Sequence, residues 1–365
     1  MTHFRLAAAA AFLTVGLCFS SCKKETEIQI KEVDKKYSWT ESTHFLGIQR
    51  IILSLGVSND GLFLQQPTYF SSIIYQGDKQ KFNSYFAHMP SDVRLHIPIT
   101  GRFYASPDND SVVVLGSSLA PLSGFNKYLR LKQIDPTAVR ISNVFPERLK
   151  FGAINSNDYL LFAYENAAAG RPFTFVLSQV QAPASIGAPI QASSQRIAIP
   201  RNPLTNSFFR NITAIDDYFL VAIDGAGIYK IRQNGSFQLV STQSGIDAFY
   251  KWKGKVYGIV EYNQIMVSND DGLTWNNYAG LPDIFNFTTY HVVSDSLIGI
   301  SHSMVRNAIF TLRWNGLNYS TRALKSDGLE RADIASLEQL RDTVYVGTAS
   351  GLFARPVKSF FETKQ

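Results

Sequence analysis

From about Tyr37 the chain alternates between short apolar runs and clusters of turn residues, and the cycle recurs to the C-terminus. Seven apolar cores of five or six residues carry the pattern, at 50–55, 111–116, 159–164, 218–223, 255–260, 296–300 and 343–347. Runs of that length, rich in β-branched and aromatic residues and bounded by Asp, Asn or Gly, predict strands. Asp110, Asp158, Asp217, Asp295 and Asp342 each stand directly before one of them. Second strands follow at 61–65, 227–232, 264–268, 308–313 and 351–355. No long amphipathic helix emerges. Residues 336–340 offer at most one helical turn, because Pro, Gly and β-branched residues interrupt everywhere else.

Spread over residues 37–365, seven copies give a period of 47 residues. A unit of four short strands takes about 40–50 residues in propeller repeats. The expected fold is therefore all-β, a seven-bladed β-propeller, with six or eight blades as the alternatives. The last copy lacks an outer strand, and residues 37–39 or 47–53 are expected to complete it and remove a sheet edge. Residues 182–203 hold Pro183, Pro189, Pro200 and Pro203 among small residues. They read as a surface loop or an irregular outer strand.

The N-terminus has a different character. His3 and Arg5 precede an apolar run from Leu6 to Phe19, too short for a comfortable membrane span and built like a signal peptide. It ends in Ser20-Ser21-Cys22, which resembles the lipobox of bacterial lipoproteins, with Phe19 where Leu is usual. That resemblance implies cleavage before Cys22 and acylation of Cys22. A charged stretch without an apolar face follows and reads as a solvated tether. The expected organisation is a signal peptide over 1–21, the lipidated Cys and tether over 22–40, and the propeller over 41–365. No Asp follows Cys22, so the resemblance implies the outer membrane, with the periplasmic or outer face left open.

One stretch stands out within the repeats. Ser268, Asp270, Gly272, Thr274 and Trp275 lie between two strand patterns. Asp side chains there can accept backbone N–H bonds, Gly can take a positive φ, and a Trp ring can close over the turn. These five residues match the Ser-x-Asp-x-Gly-x-Thr-Trp pattern of the Asp-box, and the stretch resembles those of sialidases, sortilin-type receptors and bacterial Asp-box propellers. In that family the box is a structural hairpin at the blade rim, away from any active site.

Composition narrows the chemistry. Aromatic residues make up 13% of the 365 residues and charged residues 18%, a balance that suits strands and opposes disorder. The net charge of +6 comes without a Lys/Arg stripe interleaved with aromatics, so no nucleic-acid partner is expected. The only cysteines, Cys18 and Cys22, lie in the leader region, which leaves the body without a disulfide, thiolate metal site or Cys nucleophile. The six His show no metal-ligand spacing, and no phosphate loop, nucleophile elbow or dinucleotide fingerprint occurs. Neither metal nor cofactor is expected.

Glycoside hydrolysis needs two carboxylates held apart across the sugar. Glu165, Glu261 and Asp224 each end a strand and are the candidates, against the plainer reading that they cap turns or pair with Arg. The expected function is a lipid-anchored, non-catalytic binding or scaffold module of the cell envelope for a protein or glycan. The alternatives are an Asp-box glycoside hydrolase acting on polysaccharide and an assembly factor for envelope complexes.

Overall fold

At four two-residue turns a non-glycine residue in first place takes a left-handed φ: Asp216 (47°), Lys253 (48°), Ser294 (51°) and Arg341 (54°). Across these turns Ile215 faces Tyr218, Trp252 faces Lys255, Val293 faces Ser296 and Leu340 faces Thr343. Asp217, Asp295 and Asp342, which stand before strands in the sequence, are the second residues of three such turns. A short polar side chain suits a reversal this tight.

The computed structural model describes residues 38–45, 50–58, 61–66, 69–86, 98–100, 103–106, 111–114, 128–139, 152–157, 159–166, 172–181, 191–261, 264–278, 288–302, 307–317, 319–329 and 333–363. The expected signal peptide, Cys22 and most of the tether lie outside them. Tyr37–Gln365 forms one compact unit.

The described strands form seven antiparallel sheets, six of four strands and one of five. In chain order the leading strands are Ser54–Ser58, Pro98–Thr100, Gly152–Ile154, Phe208–Ile215, Ile246–Trp252, Thr288–Val293 and Ile334–Leu340. Each leading strand lies against the leading strand of the next sheet, and the seventh lies against the first. The seventh sheet takes its fourth strand from the other end of the chain: Thr40 pairs with Ala354 and Glu41 with Phe353.

Burial explains why the second strands read as unbroken apolar runs. Every residue of Tyr218–Asp224 is buried. Phe219, Val221 and Ile223 pack toward the third sheet, whereas Tyr218, Leu220 and Ala222 pack toward the fifth. Lys255–Val260 repeats the arrangement, with Val256 and Val260 in one cluster and Tyr257 and Ile259 in the next. A strand covered on both faces has no polar side to show.

Three expectations need correction. The apolar core at 50–55 is not a repeat of the others, because the strand there is Ser54–Ser58 and it leads its sheet. Gly61–Gln65 is the true counterpart of the five cores from 159 onward, and the core at 111–116 is Ser111–Val114, the third strand of its sheet behind Phe103–Ser106. Ile52 and Leu55 are apolar because they bury against the seventh sheet, beside Leu340, Tyr345 and Leu352. Residues 336–340 are strand, not helix, within Ile334–Leu340. Of the two readings of the Pro-rich segment the outer strand holds: Gln191–Ile199 is a nine-residue outer strand, paired along its whole length with Phe173–Gln181.

The closing strand falls at Thr40–Glu41, just beyond the expected 37–39. Ser38 and Trp39 belong to the sheet body too. Asp327 accepts bonds from Ser38 N–H (2.8 Å) and Ser38 Oγ (2.6 Å). Trp39 is 2% exposed, edge-on to Phe360, and donates its indole N–H to the Lys325 carbonyl. Arg355, 1% exposed, donates to the same carbonyl at 2.9 Å.

Candidate functional site

Arg210 and Asp247 sit in neighbouring leading strands at positions where the ladder skips a residue. The register steps from Phe209 to Asn211 in the fourth sheet and from Ile246 to Ala248 in the fifth. A bulged residue is released from the pleat and can be re-aimed. The Asn211 side-chain amide donates to the Asp247 carbonyl at 2.8 Å and locks the two bulges together. Asp224 ends the second strand of the fourth sheet, and Glu261 follows the second strand of the fifth. Antiparallel order brings the start of a leading strand and the end of a second strand to the same end of a sheet.

The four side chains meet there. Arg210 Nη1 is 2.7 Å from Asp224 Oδ2, and Nη2 is 2.5 Å from Asp247 Oδ1 and also bonds Glu261 Oε1. Asp224 Oδ1 accepts the Gly245 N–H at 2.7 Å, and the Gly245 carbonyl accepts the Glu261 N–H at 2.7 Å. Three carboxylates on one guanidinium leave the cluster at a formal charge of −2. Burial raises the Asp247 carboxyl above its ordinary range, with Glu261 and Asp224 adding to the rise and Arg210 opposing it. Burial lowers Arg210, but its bonds to Asp247, Asp224 and Glu261 outweigh that and hold it firmly protonated.

Of the sequence candidates, Asp224 and Glu261 are therefore brought together, on a shared arginine. Glu165 is the penultimate residue of the second strand of the third sheet, Tyr159–Asn166, and its side chain lies outside the described residues. Arg210 and Asp247 were not singled out from the sequence. Their signal is a charged residue inside an otherwise strand-like run, Phe208-Phe209-Arg210-Asn211-Ile212 and Ile246-Asp247-Ala248-Phe249. Chemically the cluster can hold a cationic group: both Asp247 and Glu261 are half exposed. Among the described residues no group of three or more His, Cys, Asp or Glu side chains is arranged to hold a metal ion. No helix among them is long and apolar enough to cross a membrane.

The 268–275 turn lies at the opposite end of the fifth sheet, between Gln264–Ser268 and Asn276–Tyr278. Asp270 Oδ1 accepts Ser268 Oγ (2.7 Å) and the N–H groups of Leu273 (3.2 Å) and Thr274 (2.9 Å), while Oδ2 accepts Thr274 Oγ1 (2.6 Å). Ser268 Oγ accepts the Gly272 N–H at 2.7 Å, and Trp275 donates its indole N–H to the Gly272 carbonyl. Gly272 takes φ 80° with its α-carbon turned to Leu220 of the fourth sheet, 3.3 Å from where a Cβ would sit. The two Thr274 bonds hold the Asp270 carboxyl down at about 2 against the opposing effect of burial, with Ser268 and Leu273 adding to them. Two lysines clamp the turn to its neighbours. Lys230 donates to the Asp271 carbonyl at 2.7 Å with its ammonium 3.8 Å over the Tyr218 ring, and Lys251 bridges Asp271 (2.8 Å) and Asp216 (2.5 Å).

No protein-family model matches the chain, and no curated protein does either. Solved structures are similar at low identity. BamB from Moraxella catarrhalis is 14% identical over 87% of this chain and 98% of that one, with a TM-score of 0.43. BBS1N in complex with ARL6DN is 11% identical over 87% and 96%, with a TM-score of 0.45. PorZ, a surface component of the type-IX secretion system of Porphyromonas gingivalis, is 11% identical over 87% of this chain but only 38% of that one, with a TM-score of 0.42.

Proposed function

We propose that the chain is a seven-bladed β-propeller, anchored by a lipid on Cys22 to the outer membrane of a bacterial cell envelope, that binds or scaffolds a protein or glycan without catalysis. The observation that carries the fold is the cyclic order in which seven leading strands touch, the seventh meeting the first. Six of the seven sheets have the four strands expected of a blade. On this reading residues 268–275 are an Asp-box with a structural role. Its carboxylate is fully engaged inside the turn, and two lysines tie it to neighbouring strands.

The binding role draws support from the arginine cluster. Asp224 and Glu261, the described members of the glycosidase candidates, both bond the same guanidinium, as an ion-pair network does. A hydrolase with Glu165 and Glu261 as its pair gains nothing from that arrangement, and an assembly factor would use the same surface as a scaffold. Function on a propeller is set by its sites and not by its fold.

The first experiment incubates the full chain with a panel of complex glycans and reads released products and retained ligand by mass spectrometry. Retention without cleavage is the expected result for a glycan-binding module; released product would sink the non-catalytic reading. Anchoring has its own test. Cys22→Ser should abolish fatty-acid labelling and move the chain out of the membrane fraction, and unchanged labelling would refute the anchor.

A further inference from the structure

Next to the arginine cluster the chain builds a stiff loop whose tip faces solvent. In residues 201–207 the Leu204 N–H bonds Asn202 Oδ1 at 2.9 Å, the Thr205 N–H bonds the Asn202 carbonyl at 3.2 Å, and the Thr205 and Ser207 hydroxyls are 2.7 Å apart. Ser207 is wholly buried at the loop's base, where its carbonyl accepts a bond from Arg201. The loop holds Leu204 out at 92% exposure, and Phe208, the first residue after the loop, is 51% exposed. Isolated exposed leucines are ordinary, but a leucine whose backbone is held by a bonded loop leading to an exposed phenylalanine has already lost part of the freedom that binding would cost it.

Phe208 and the carboxylates share one rim, and the loop that carries Leu204 adjoins it. Phe208 is the cross-strand partner of Asp224, and the loop backs onto the adjoining turn, where a Cβ on Gly225 would lie 2.9 Å from the Asn206 carbonyl. Asp224 shares Arg210 with Asp247 and Glu261. Asp247 Oδ2 and Glu261 Oε2 take no hydrogen bond from the described residues, so the exposed side of the cluster is all acceptor. The remaining cation of the loop, Arg201, is turned away, 5.2 Å over the Phe173 ring of the third sheet.

We infer that Leu204, Phe208, Asp247 and Glu261 form a docking surface for a protein segment that presents a Lys or Arg side chain beside an apolar one. This rests on the binding role proposed above and narrows it to a partner. The cationic head sits against Asp247 and Glu261 and supplies the donors that Arg210 cannot, while the apolar neighbour covers Leu204 and Phe208. Phosphate-bearing partners meet a rim of charge −2 and are repelled. The whole chain carries +6, so the attraction is local to the rim and gives selectivity more than long-range steering.

The test presents the immobilised full chain with an array of short synthetic peptides. One Lys and one Leu are walked past each other through a Gly/Ser background, with Lys→Glu and Leu→Ser copies of each. Peptides with Lys adjacent to Leu should be retained and both copies lost. Leu204→Ser, at a position too exposed to disturb packing, and the Asp247→Asn/Glu261→Gln pair should each weaken retention about tenfold or more. Equal retention of the Glu copies, retention untouched by these variants, or no retention of any peptide would each overturn the surface. A chain that holds a glycan while ignoring every peptide loses this surface and keeps its role as a binding module.

Discussion

Gly347, in the second strand of the seventh sheet, lies so close to Ile52 of the first that a Cβ on it would stand 2.5 Å from Ile52 Cγ2 and 3.2 Å from Leu55 Cγ. The absence of a side chain at Gly347 lets the last sheet meet the first. Gly347→Ala should cost about 1–3 kcal/mol of stability, the usual penalty for overfilling a packed core. Urea unfolding would measure it. Combined with Ile52→Ala, which removes the obstructing methyl, the loss should fall short of the sum of the two single changes.

Trp39 holds the opposite side of the same closure. Trp39→Ala should cost about 3–5 kcal/mol, as loss of a buried large aromatic does. It should also speed amide hydrogen exchange in Gly351–Pro356, whose outer edge Thr40–Glu41 covers. Unchanged exchange in that strand would show that Trp39 does not secure the closing strand.

Removing Arg210 leaves three carboxylates facing one another. Arg210→Met should destabilise the chain by about 2–3 kcal/mol at neutral pH, less than a fully buried pair would lose because Asp247 and Glu261 are half exposed. The sign with pH is fixed. Asp247 already holds its proton more readily than an ordinary carboxyl, and without Arg210 it does so further. Acidification protonates it ahead of an ordinary carboxyl and relieves the repulsion. The gap between variant and wild type should therefore narrow on acidification, and denaturant midpoints check it.

Asp270 behaves in the opposite sense. Its carboxyl is held at about 2, below the roughly 3.9 of an unfolded chain, so its contribution is complete above about pH 5 and is lost as pH falls toward 2. Asp270→Asn should cost about 1–3 kcal/mol at neutral pH. The difference from wild type should then close between about pH 4 and pH 2. A difference that stays constant over that window would show that charge plays no part in the turn.

Legibility of the sequence followed burial. Lys255–Val260, Gly227–Arg232 and Gln264–Ser268 stand in the structure at the bounds their apolar runs indicate. The first and third are almost wholly buried. The leading strands were harder to see because they carry the charged and polar residues. Phe208–Ile215 contains Arg210 and Asn211, Ile246–Trp252 contains Asp247, and Thr288–Val293 opens on two threonines. The run at 50–55 misled for the converse reason, since its apolar residues serve a seam between sheets and not a ladder. The arginine cluster was legible only in parts. Arg210 reaches acids 14, 37 and 51 residues along the chain, and no local pattern aligns them.

The pairing of Thr40–Glu41 with Gly351–Pro356 also sets an order of events. Six sheets draw all their described strands from one continuous stretch and can mature as the chain emerges from the ribosome. The seventh joins the first described strand to the last, the widest strand closure among the described residues. The edge of Gly351–Pro356 stays unpaired until that closure, so the newborn chain is most exposed to strand exchange with a second copy at its final step.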